Sequence, residues 1–330
     1  MALSQVGLER LNTATTDKIG ESKNLIINGQ FDIWQRGTDS GSNTTDGVLA
    51  CDRWMLASSG ATKQVTRQSF DLGQTDVPSN PKYFLRYAVT TGNNNAALRQ
   101  RIEGVDTVQG AVTLSFYAKG TNPAGGSFDI INRQNFGTGG SPSSVVDTSV
   151  GSFSVTSSWA RKTFTFTPPS ISGKTLGTAN NDYYELEVFR QPDGDSGTAA
   201  YTVDIANVQL EVGSVATDFE YRSFADELIR CKRYFEIIKP GYFNLGRFDH
   251  SSGQAFNFIQ FQVTKRNSPS GSIAGTFRSS TGTSGNISFD STTVEGASIF
   301  TANSTSQNGI LYILDDNGDG TMMLKFDAEL

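Results

Sequence analysis

Tyr201-Thr-Val-Asp-Ile-Ala-Asn-Val-Gln-Leu-Glu-Val-Gly213 is the stretch on which the class of fold turns. Val203, Ile205, Val208, Leu210 and Val212 alternate with polar residues, and the alternation slips by one near Ala206-Asn207. A two-residue period belongs to a half-buried strand, and a one-residue slip marks a bulge. Gly213 ends the strand. Further on, Ser223 stands three residues before Asp226, which predicts a helix N-cap with an acidic partner. Phe224, Leu228, Cys231 and Phe235 recur on one helical face, and Arg230, Lys232 and Arg233 crowd the end where unsatisfied carbonyls favour cations. A short linking helix over 223–236 is therefore expected between two strand-rich regions.

Upstream, strand patterns recur over 52–57, 63–70, 83–90, 97–103, 112–118, 128–132, 153–156, 162–167 and 183–189, with Gly, Pro and Asn turns between them. In the 112–118 segment Val112, Leu114 and Phe116 should point inward. The apolar run 25–34, broken at Gly29, reads as a buried strand that bends. About ten such strands imply an all-β jelly-roll β-sandwich over 24–222. Downstream, 256–263, 273–277, 287–289, 298–301, 310–315 and 322–326 imply a second, smaller β-sandwich domain over 237–330. Asp316-Asn317-Gly318-Asp319-Gly320 reads as a hairpin turn joining the last two of these strands. Residues 1–23 are short, mixed and weakly apolar, and read either as a docking arm onto a larger partner or as a loose leader.

Composition supports the β reading and excludes several functions. The chain has 330 residues, 34 of them Gly, with 22 Phe and 10 Tyr, which is too aromatic for disorder and long enough for two cores. A net charge of −6 without a long basic run argues against nucleic-acid binding. No apolar run is long enough to span a membrane, and the N-terminus lacks the basic start and apolar core of a secretory signal. Cys51 and Cys231 fall in different expected domains, and two buried thiols are expected rather than a disulfide.

Asn24-Leu-Ile-Ile-Asn28-Gly29-Gln-Phe31, Val112-Thr-Leu-Ser-Phe116-Tyr-Ala-Lys119 and the Tyr201 to Leu210 segment resemble the first, middle and last strands of jelly rolls of the carbohydrate-binding-module type. Phe31-Asp-Ile-Trp34-Gln-Arg-Gly37, Cys51-Asp-Arg-Trp54 and Phe219-Glu-Tyr-Arg-Ser with Cys231-Lys-Arg-Tyr-Phe235 are similar to bacteriophage virion surface proteins, mainly of tail-fibre or tail-tip type. This resemblance covers 24–236, and the ending Phe326-Asp-Ala-Glu-Leu330 is also of that kind. It implies a virion component assembled in the host cytoplasm, often a homotrimer, docked to other virion proteins through 1–23 and touching a host-surface glycan or protein. No heptad pattern for a coiled-coil shaft is present, so a compact tip, a tail-connecting part or a capsid-decorating protein all stay open. The resemblance also implies a structural Ca²⁺ between the first and last strands, for which Asp204 matches the last-strand acid and Asp32 is the available first-strand acid. No other cofactor is expected.

Trp34, Trp54 and Trp159 are the residues whose indole faces could stack on a sugar. Trp34 and Trp54 have apolar neighbours and suit the core, whereas Trp159 lies in a turn and is the ligand-binding candidate. Glycoside hydrolysis needs two carboxyl groups about 5 to 10 Å apart, and Glu185 and Glu187 share one strand face at such a separation. Strand acids on a wetted face are far commoner than catalytic pairs, so the expected protein is not an enzyme, with a polysaccharide depolymerase as the lesser alternative.

Overall fold

The computed structural model describes residues 22–57, 60–91, 96–192, 200–239, 242–247, 254–275, 287–302, 311–315 and 323–330. Most of the expected docking arm, residues 1–21, lies outside them. The chain divides into two compact units, Met1–Arg222 and Ser223–Leu330.

The first unit is a jelly-roll sandwich of two antiparallel sheets. One holds β1 (Val48–Leu49), β2 (Met55–Ala57), β5 (Ala97–Glu103), β10 (Tyr183–Arg190), β7 (Phe128–Asn135) and β8 (Val146–Phe153), in the spatial order β1-β2-β5-β10-β7-β8. The other holds β3 (Thr62–Ser69), β4 (Tyr83–Thr91), β11 (Tyr201–Val212), β6 (Val112–Gly120) and β9 (Ala160–Phe166), in the order β3-β4-β11-β6-β9. The chain crosses repeatedly from one sheet to the other, so no strand can bury its apolar side until its counterpart in the opposite sheet arrives. Leu98, Ile130 and Leu186 from one inner face meet Leu85, Tyr87, Leu114, Phe116, Val203 and Ile205 from the other in a single core. Each such side chain contributes roughly 1.5–3 kcal/mol on burial.

β11 carries the expected bulge. Its register with β6 shifts between Ala206 and Gln209, where Asn207 takes a left-handed φ of 51°. Beyond the bulge Val208 and Leu210 return to the core, which is what a one-residue insertion achieves in a two-residue period.

Residues 24–34 are not the bent strand expected. They run beside β11 as turns, with Asn28 and Phe31 at φ 58° and 60°, and they borrow side-chain bonds in place of a ladder. The Asn24 amide donates to the Val208 carbonyl at 3.1 Å, while its oxygen accepts from the backbone N–H groups of Ile26 and Leu210 at 3.0 and 3.1 Å. Val208 N–H donates to the Gly29 carbonyl at 2.9 Å. A Cβ at Gly29 would drive into the Val208 carbonyl oxygen, so only glycine allows this approach. The Trp34 and Trp54 indoles are buried and donate to the Phe31 and Asn28 carbonyls, at 2.7 and 2.9 Å.

The first described residues of this unit lie against its last ones. Ser22 Oγ donates to Glu220 at 2.5 Å, Lys23 N–H to the same carboxylate at 3.1 Å, and Arg222 to the Ile26 carbonyl at 2.9 Å.

The second unit opens with α1 (Phe224–Lys232), whose N-cap Ser223 accepts from the Asp226 N–H at 3.2 Å. The helix is shorter than expected, and its presumed inner face is broken because Phe224 is exposed while Cys231 is buried. Phe235 and Glu236 belong instead to β12 (Phe235–Ile238). The strands β13 (Tyr242–Arg247), β14 (Gln254–Gln260), β15 (Ser270–Ala274), β16 (Ile287–Thr292), β17 (Gly296–Ala302), β18 (Leu311–Asp315) and β19 (Met323–Asp327) complete it. They form three antiparallel sheets, β12-β19-β15, β13-β18 and β14-β17-β16. Ile259, Phe261, Ala297, Ile299, Leu324 and Phe326 make its core. The expected final hairpin does not form: β18 pairs with β13 and β19 with β12 and β15, and the turn residues 316–320 are outside those described. Pairing β19 in the first of these sheets is what places Leu324 and Phe326 in the core. In β14 Ile259 is buried, as is Phe261 just beyond it, whereas Phe256 and Phe258 are exposed.

Candidate functional site

The sandwich has two outer faces, and they differ. On the five-stranded sheet, Phe84 and Ala206 are covered by Val77 and packed by Phe70, Tyr117 and Trp159. The Trp159 ring lies 5.3 Å from both Phe70 and Phe84, and the Lys119 ammonium sits 4.9 Å over it. The ligand candidate of the sequence is thus half-buried in a satellite apolar cluster. Asp204, on the same sheet, accepts two hydrogen bonds from Arg86, Nε to Oδ1 at 2.7 Å and Nη2 to Oδ2 at 2.8 Å, with Lys119 Nζ 4.0 Å away. Each of its carboxylate oxygens already has a cationic partner. Asp32 lies in the turns of 24–34, within electrostatic reach of Cys51, whose thiol is pushed well up by burial and by Asp52. Among the described residues no three His, Cys, Asp or Glu side chains are grouped to hold a metal.

The outer face of the six-stranded sheet is polar. Tyr184 and Leu186 of β10 go into the core, so Glu185 and Glu187 project to the other side, as the strand period requires. Register brings the partners. Glu185 lies opposite Arg101 of β5 and Arg133 of β7, and Glu187 opposite Arg99 and Ile131. Arg101 Nε donates to Glu185 Oε2 at 2.7 Å, Arg99 Nε lies 3.7 Å from the same oxygen, and Arg133 Nη1 lies 3.5 Å from Oε1. Arg133 also grips both oxygens of Asp147 of β8 with its Nε and Nη2, at 2.7 and 2.8 Å. That fork raises the Arg133 pKa and holds the Asp147 carboxyl below its ordinary range. Arg99 reaches Asp46 at 3.3 Å, and Arg190 lies 3.7 Å from Glu187. The Arg101 guanidinium is stacked 4.4 Å over the Tyr183 ring, whose hydroxyl accepts from the Asn135 amide at 3.1 Å.

Burial divides the network into floor and rim. The Glu185 side chain is 0% exposed, whereas Arg101, Arg133 and Arg190 are 20, 28 and 20% exposed and Asp147 is 45%. Glu187 is buried, its Oε2 has no hydrogen-bond partner, and desolvation raises its pKa. The rim presents alternating N–H donors and carboxylate acceptors at fixed positions, which suits ligands rich in hydroxyl groups.

The sequence placed Glu185 and Glu187 on one face, and the structure keeps them there, about 7 Å apart along the strand. Arg190 is three residues from Glu187 in β10 itself, but Arg99, Arg101 and Arg133 come from β5 and β7, and only register brings those strands beside β10. A run of Arg at alternate positions, Arg99 and Arg101, was the one available signal.

No family model and no curated protein sequence matches the chain. Among solved structures it is similar to the enzymatically active domain of tailspike protein 4 of bacteriophage CBA120, at 16% identity and TM-score 0.32, over 57% of this chain and 21% of that one. A candidate sugar-binding protein from Bacteroides thetaiotaomicron is 15% identical with TM-score 0.34, over 57% of this chain and 99% of that one. The first family 22 carbohydrate-binding, xylan-binding domain from Paenibacillus barcinonensis is 16% identical with TM-score 0.29, over 56% of this chain and 100% of that one. At such identities and TM-scores these likenesses do not reach function.

Proposed function

We propose that the chain is a glycan-binding structural component of a tailed-phage particle, of tail-fibre or tail-tip type, that adsorbs to the host surface without cleaving what it binds. The observation that carries this reading is the rim on the six-stranded sheet, where donors and acceptors are fixed by one another yet remain in contact with solvent. Such preorganisation lowers the entropy lost when a flexible polysaccharide is held. The phage assignment rests on the Phe31 to Gly37, Cys51 to Trp54 and Phe219 to Phe235 motifs. On this reading the protein resides in the virion, residues 1–23 attach it to other virion proteins, and a homotrimer multiplies weak sites. A tail-connecting or capsid-decorating role uses the same attachment without the glycan. Purified protein should sediment with host cells or their envelope polysaccharide, and Arg101→Ala with Arg133→Ala should abolish this. A folded protein that binds no surface polysaccharide overturns the proposal. Deleting residues 2–21 should block incorporation into particles while leaving polysaccharide binding intact.

One observation favours a depolymerase as a second reading: Glu187, with its raised pKa, stands beside ion-paired Glu185, as an acid beside a base or nucleophile would. Against it, the Glu185 carboxylate is fully buried among three arginines and presents no approach to a sugar carbon. The depolymerase reading requires reducing sugar to be released from host capsule by the parent chain and not by Glu185→Gln or Glu187→Gln.

A further inference from the structure

We infer that the face of the six-stranded sheet selects uncharged glycans and rejects acidic ones, an inference that rests on the glycan-binding reading and specifies its ligand. The network balances Arg99, Arg101, Arg133 and Arg190 against four carboxylates. Every guanidinium in it faces an anion: Arg133 serves both Asp147 and Glu185, and Arg99 both Asp46 and Glu185. A ligand carboxylate or sulfate would therefore have to displace a resident acid from its guanidinium, gaining one ion pair only by breaking another. Two further acids, Glu103 at the β5 end and Asp129 on β7, lie on the same side of the sheet, since they fall at alternate positions from Arg101 and from Ile131 and Arg133. They add two more carboxylates to this side of the sheet. A sugar hydroxyl faces no such penalty, because it can donate to a rim carboxylate and accept from the neighbouring guanidinium without separating the pair. The Arg133–Asp147 fork is the most exposed pair of this kind, at 28 and 45%.

The test is binding of the whole chain to immobilised neutral polysaccharides (xylan, glucomannan and dextran) and to acidic ones (polygalacturonate, alginate and polysialic acid), each at 50 and 500 mM NaCl. The expected result is binding confined to neutral probes, with affinity changing less than about twofold across that salt range because no net charge is neutralised. Asp147→Asn removes one resident anion and should create binding to an acidic probe that falls at least about tenfold at high salt. Preference of the parent chain for acidic probes, or acidic binding unchanged by Asp147→Asn, overturns the selectivity while leaving glycan binding standing. Failure to bind any probe or the host's own polysaccharide overturns the glycan-binding reading itself.

Discussion

Replacing Glu185 with Gln keeps the shape of the side chain and removes the anion at the centre of the network. In the parent, its carboxylate is fully buried and accepts from Arg101 at 2.7 Å, with Arg99 and Arg133 at 3.7 and 3.5 Å. Loss of one partner of a buried pair ordinarily costs about 3–5 kcal/mol. Here Arg99 retains Asp46 and Arg133 retains Asp147, and the arginines are partly wetted, so the loss falls mainly on Arg101. The expected destabilisation is then about 2–3 kcal/mol, below the full range because of that exposure. All three tryptophans lie in the first unit, so their fluorescence follows this unit alone during urea unfolding. With a slope of about 2–3 kcal/mol per molar, the midpoint should drop by roughly 1 M. A variant as stable as the parent would refute the view that Glu185 is a structural anion. Full stability combined with lost release of reducing sugar would instead make it catalytic.

Glu187→Gln should act in the opposite direction. A carboxyl whose pKa is raised by burial stabilises the fold at low pH and loses that contribution as pH rises through its folded pKa, so at pH 7 the substitution should raise the unfolding midpoint and at pH 4 it should not. Gly29→Ala pushes a methyl into the Val208 carbonyl and should break the Val208 to Gly29 hydrogen bond, costing about 1–3 kcal/mol in the same urea assay once a buried group is left unpaired. Trp159→Ala, which strips one ring from the Phe70–Phe84 cluster, should lower stability by about 1–3 kcal/mol and leave polysaccharide binding unchanged; lost binding in a folded variant would move the site to the other face. In the second unit, the buried Lys265 ammonium donates to Glu236 at 2.6 Å, so Glu236→Gln should cost about 3–5 kcal/mol by calorimetry, and Lys265→Met with Glu236→Leu should recover most of it.

The parts of the fold legible from sequence are those where one face of a strand is apolar and the other polar. Val112, Leu114 and Phe116 alternate and are all buried, and the slip at Ala206-Asn207 is a real bulge. Serine at 223 followed by Asp226 announced a helix start that the hydrogen bond confirms. The misses have physical causes. Residues 24–34 are apolar enough for a strand, yet Asn24 satisfies backbone groups with its side chain and frees the chain to turn. β8 (Val146–Phe153) was placed too late, because Val-Asp-Thr-Ser-Val-Gly-Ser-Phe is an edge strand with only one residue fully buried. The candidate site was half legible: the strand period puts Glu185 and Glu187 together, but the arginines opposite Glu185 arrive from strands some fifty and eighty residues upstream, and no local pattern encodes that pairing.

Ser22 and Lys23 grip the same acid, Glu220, that lies two residues before the end of the first unit. Ser22 and Arg222 therefore stand side by side, and a segment with neighbouring ends is simple to transplant. Residues 22–222 could be spliced into a surface loop of an unrelated carrier through two short spacers, with neither strand of the junction having to travel round the sandwich. That geometry lets residues 22–222 be exchanged between carriers as one block, without rearranging any strand of the sandwich.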